Sequence, residues 1–124
     1  MQTVGMVLVI ALIVLVTGII WHDMHHFVIR KYELNSVKLK HDLRICFLSD
    51  LHGKDYGHGN QALLAAIDQA GPELILVAGD MITFGQKDGR GYDNAVNFLA
   101  ALSKKYPVYL GNGNHECKLE AYAE

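Results

Sequence analysis

The chain has 124 residues, 51% of them hydrophobic, with a formal net charge of −2. That length fits one modest domain, and a small acidic excess spread along the chain carries no signature of a nucleic-acid binder. Its two cysteines, Cys46 and Cys117, exclude a disulfide-framed fold.

In chain order, charge is absent from Val4 to Trp21, VGMVLVIALIVLVTGIIW. This run of about 18 residues is long enough to cross a bilayer as a helix. Trp21 and the polar HDMHHF after it suit a membrane–water interface. No basic n-region precedes the run and no A-x-A-like site follows, which favours an uncleaved anchor over a signal peptide. Residues 1–28 thus read as a transmembrane anchor with its juxtamembrane segment, and 29–124 as a domain large enough for a small core. Arg30, Lys31, Lys38 and Lys40 follow the span. The positive-inside bias therefore predicts a single-pass protein of the cell membrane with its domain on the cytoplasmic side. His22, His25 and His26, at i, i+3 and i+4, read as an interfacial polar face.

YELNSVKLK (32–40) alternates polar and apolar residues, which predicts a short edge strand. RICFLSD (44–50) predicts a buried strand, with Cys46 as a small core hydrophobe. After the glycine-rich loop HGKDYGHGN, whose His58 reads as a solvated loop residue, QALLAAIDQA (61–70) has helical spacing and stops at Gly71-Pro72. ELILVAGD is a second apolar strand. YDNAVNFLAALSKKY is an amphipathic helix predicted to turn Val96, Leu99, Ala100 and Leu102 inward, and PVYLGNGNHE is a third strand with its exit loop. Strand–helix alternation predicts right-handed crossovers and a parallel sheet covered on both faces, with all strand C-termini along one ligand-binding edge.

Three polar clusters reach that edge: Asp50-Leu51-His52, Gly79-Asp80 and Gly113-Asn114-His115-Glu116. Asp50 and Asp80 stand 30 positions apart, and Asp80 and Asn114 stand 34 apart, each about one βαβ unit. Carboxylate, imidazole and amide donors together suit hard-to-borderline divalent ions. In an extended segment alternate residues face the same way, so Asp50 and His52 are expected to grip one ion. Singly, each residue has an ordinary reading as a turn former or cap. Their joint order and spacing outweigh it.

SDLHGKDYGHGN, PELILVAGDMI and VYLGNGNHE resemble the D-x-H, G-D and G-N-H-[DE] signatures of the calcineurin-like metallophosphoesterases, most closely the membrane-anchored bacterial branch. The resemblance implies two divalent metal ions drawn from Mn, Fe, Zn or Mg. Asp50 and His52 would bind the first, Asp80 would bridge both, and Asn114 would bind the second and help hold phosphate. His115 would be the catalytic residue beside the phosphate, oriented by a carboxylate such as Asp50. The implied reaction is hydrolysis of a phosphomonoester, phosphodiester or pyrophosphate by a hydroxide bound to two metals. The membrane would be a partner through the N-terminal helix, and a phosphate ester at its surface, such as a lipid headgroup or nucleotide-lipid pyrophosphate, the substrate.

The same resemblance implies the first half of a four-layered α/β/β/α sandwich, truncated at the C-terminus. The family's later histidines, including a G-H-x-H signature, have no counterpart after His115. By residue count the first metal would keep Asp50, His52 and Asp80 and lose one histidine, while the second would keep Asp80 and Asn114 and lose two. A missing second sheet would leave one apolar sheet face uncovered. The competing reading is a non-catalytic, membrane-anchored half-domain that acts by binding. A Rossmann-like nucleotide module is disfavoured, because D-L-H-G stands where G-x-G-x-x-G would follow the first strand.

Overall fold

The structure, a computed structural model, describes residues 2–83, 85 and 89–121. Two compact units are present, residues 1–32 and 33–124. The first is built on helix α1 (Gln2–His25), whose 23-residue segment Thr3–His25 contains an 18-residue stretch with a mean hydropathy of 2.9. At about 1.5 Å of rise per residue, such a helix is long enough for a hydrocarbon core of about 30 Å.

The second unit runs β1 (Ile45–Leu48), α2 (Gln61–Ala70), β2 (Leu74–Val77), α3 (Arg90–Ser103), β3 (Val108–Leu110) and α4 (Asn114–Ala121). The strands form one parallel sheet in the order β1-β2-β3, with Ile45 opposite Leu74 and Ile75 opposite Val108. One face is the core. Ile75 and Val77 project from β2 onto Ile67 of α2 and Ala95, Phe98 and Leu102 of α3, with Leu51, Met81 and Ile82 closing the end. Asp68 on α2 accepts bonds from Lys105 Nζ at 2.6 Å and Tyr106 Oη at 2.8 Å, tying the exit of α3 to α2.

Among the described residues only one face of the sheet is covered, not the two expected from strand–helix alternation. Ile45, Phe47 and Tyr109, on the opposite side of the sheet, remain exposed. The strand order explains it: right-handed crossovers that step from β1 to β2 to β3 in one direction put both helices on the same face. Helices reach the second face only where the strand order reverses, and it does not reverse here.

Three local expectations also differ. Residues 32–40 form no strand, and Tyr32, Leu34 and Val37 are exposed to solvent. On α3 the inward stripe is Gly91, Ala95, Phe98 and Leu102, while Val96 and Ala100 face outward and Leu99 is half-buried. The helical period holds, but the stripe is rotated by about one residue from the expected one, because Ala95, Phe98 and Leu102 are the positions that meet the core. The exit from β3 is not all loop, since α4 begins at Asn114.

Candidate metal centre

Each strand delivers its polar cluster to the same edge, and backbone bonds stitch the clusters together beyond the sheet. Asp50 N–H donates to the Gly79 carbonyl at 3.2 Å, His52 N–H to the Asp80 carbonyl at 3.0 Å and Gly53 N–H to the Met81 carbonyl at 2.8 Å. The first two clusters therefore run side by side as an irregular continuation of the β1–β2 pairing. One oxygen from each of Asp50 and Asp80 and one imidazole nitrogen from His52 lie within 4.8 Å of one another. His52 Nε2 stands 3.6 Å from Asp50 Oδ1, and the Ser49 hydroxyl donates to the other Asp50 oxygen.

The convergence does not come from extended alternation. Asp50, His52 and Asp80 all lie in the left-handed region, with φ of 58°, 51° and 52°. That region is sparsely used by residues other than glycine, and such strain gathers at functional sites. Asp50 and His52 thus meet through a tight turn, which corrects the strand-like geometry expected for D-x-H.

Glu116 holds this backbone in place. Its carboxylate accepts N–H bonds from Asp80 and Met81 at 2.8 Å, from Gly113 at 2.9 Å and from Ile82 at 3.2 Å. Burial of the carboxyl opposes ionisation, but the backbone N–H donors outweigh it and hold the pKa below the ordinary 4.5. The sequence reading gave this residue no role. A signal was present, because an acidic residue at the third position of a helix reaches back to the capping residue, here Gly113. What spacing could not show was the reach across to the loop after β2.

The third cluster closes against the second at van der Waals limits. His115 N–H donates to Asp80 Oδ1 at 2.8 Å, so the carboxylate is oriented by the first turn of α4. A Cβ on Gly113 would lie 2.5 Å from Asp80 Oδ1 and 2.8 Å from its Cγ, so only glycine leaves this carboxylate where it is. The His115 ring meets the His52 ring edge-on, with centroids 5.1 Å apart, beside the Asp50–His52–Asp80 group. Asn114 opens α4 with its side chain exposed at the same edge.

The loop between β1 and α2 is organised by Asn60, which is fully buried and also left-handed, with φ of 61°. Its Oδ1 accepts from Tyr56 N–H at 3.0 Å and its Nδ2 donates to the Lys54 carbonyl at 3.2 Å. His58 is exposed in that loop.

A three-stranded parallel sheet with an Asp–His–Asp group at its C-terminal edge describes an α/β domain with a candidate metal-binding edge. The family model for calcineurin-like phosphoesterase matches residues 43–124, and the chain belongs to that family. It is 29% identical over 91 residues to the uncharacterized metallophosphoesterase Cj0846 of Campylobacter jejuni, an alignment covering 71% of this chain and 23% of that relative. The chain thus spans about a quarter of the relative's length.

Proposed function

We propose that the chain carries the metal-binding edge of a phosphoesterase that hydrolyses a phosphomonoester, phosphodiester or pyrophosphate. The observation that carries this is the Asp50–His52–Asp80 group, whose ligand atoms share one small volume in a domain of this family. Two carboxylates and an imidazole are a donor set for Mn, Fe, Zn or Mg. When bound, such an ion neutralises phosphate charge and acidifies a coordinated water. Asp50 and His52 would hold one ion, Asp80 would be shared with a second, and Asn114 would serve the second ion and the phosphate. His115, whose ring lies beside that of His52, would donate a proton to the departing oxygen.

The apolar helix supports a single-pass anchor in the cell membrane, with the domain cytoplasmic by the charge that follows the span. The resemblance to the membrane-anchored branch and to the first half of an α/β/β/α sandwich belongs to the same reading. A phosphate ester at the membrane surface, lipid-linked in the simplest case, fits an anchored enzyme.

The uncovered sheet face favours a second reading, a membrane-anchored half-domain that acts by binding. Hydrolysis of p-nitrophenyl phosphate and bis-p-nitrophenyl phosphate by the full chain with Mn2+ separates the two. Metal-dependent turnover lost in Asp80→Asn supports the enzyme, and its absence from the unaltered chain supports the binding role.

A further inference from the structure

Both carboxylates of the metal group are fixed by a donor. The Ser49 hydroxyl donates to Asp50, and His115 N–H donates to Asp80. A metal-ligating imidazole is ordinarily fixed in the same way, by a bond at its second ring nitrogen. Among the described residues the His52 ring has no such bond. It meets Asp50 Oδ1 at 3.6 Å, beyond hydrogen-bond range, and the His115 ring edge-on. The imidazole is therefore aimed by its backbone, and that backbone lies in the left-handed region, with φ of 51°. Such a conformation persists only where its surroundings over-determine it.

The loop after β2 supplies those surroundings. His52 N–H donates to the Asp80 carbonyl, and the peptide unit that follows, between His52 and Gly53, is held at both ends. Its N–H donates to the Met81 carbonyl at 2.8 Å, and its carbonyl accepts from Thr83 Oγ1 at 3.2 Å. Gly53, with φ of 68°, offers little resistance of its own to a flip of this peptide. The bond at the carbonyl end therefore matters. Thr83 comes from 31 positions away, is partly buried and follows Ile82, whose N–H is held by Glu116. We propose that Thr83 is a positioning residue of the metal centre. Its hydroxyl locks the left-handed backbone at His52 and so aims the imidazole at the ion held with Asp50 and Asp80. The inference rests on the metal-binding reading above and gives a role there to a residue outside the three polar clusters.

Thr83→Val keeps the shape of the side chain and removes the donor, whereas Thr83→Ser keeps the donor. Mn2+ affinity of the full chain is read from the free-ion electron paramagnetic resonance signal. Coordination by imidazole is read from the nitrogen modulation of the bound ion in spin-echo measurements. Loss of an outer-shell partner costs a metal site about 10–100-fold in affinity, and a loss of that size is expected in Thr83→Val. At saturating metal its nitrogen modulation should fall as it does in His52→Ala, while Thr83→Ser keeps both signals. Urea denaturation of the metal-free variants identifies a merely structural role, which would lower stability and leave the nitrogen signal of the folded chain in place. Unchanged affinity and modulation in Thr83→Val overturn the inference alone. So does a loss that Thr83→Ser shares in full. No saturable binding by the unaltered chain overturns the metal reading, and the inference with it.

Discussion

Ile75 and Val77 are 0% and 3% exposed, whereas Phe47 and Tyr109, on the other face of the same sheet, are 66% and 62% exposed. All four are aliphatic or aromatic, and strand periodicity sends alternate ones to opposite sides. Hydrophobic strands such as ICFL and LILV have the continuous character of a sheet buried on both faces. Burial on only one face shows that apolar side chains state a demand for cover. Which demand is met depends on where the crossovers place α2 and α3.

The comparison can be broken or sharpened by substitution. Phe98→Ala, on the covered side, should cost about 3–5 kcal/mol, as truncation of a fully buried aromatic does, measured by urea denaturation of the full chain. Glu116→Gln should cost about 1.5–3 kcal/mol, the range for hydrogen bonds to a charged group. Because the folded pKa of Glu116 is lowered, the unfolded chain binds more protons there, and stability rises with pH through that interval. Its contribution is fully present above the ordinary value of 4.5 and is lost as pH falls through the depressed one, an acid limb that Glu116→Gln should flatten in denaturation curves below that pH. Phe47→Ser, on the bare face, should change stability by no more than about 0.5 kcal/mol. A Phe47→Ser cost equal to that of Phe98→Ala would mean that this face is covered in solution.

Much of this frame was legible in the residues. The helix over 61–70, the strands after Arg44 and Glu73 and the arrival of Asp50, His52 and Asp80 at one edge follow from period and breaker residues. What escaped depends on tertiary contact. The α3 stripe lies on Ala95 rather than Val96, a rotation of about one residue, and the alternation over Tyr32–Lys40 does not say whether a partner strand exists. The left-handed turns at Asp50, His52 and Asp80 are held by long-range bonds, Glu116 among them, so spacing brought these side chains to one edge and missed the backbone conformation that does it.

The most direct measurement is Mn2+ binding to the full chain, read as loss of the free-ion electron paramagnetic resonance signal. Manganese is the suitable probe because carboxylate oxygens favour it. Saturable binding that Asp80→Asn reduces at least tenfold is the expected result, since a ligand is worth no less than the outer-shell partners whose loss costs about 10–100-fold. Equal binding before and after Asp80→Asn would contradict the assignment of Asp50, His52 and Asp80 as a metal centre.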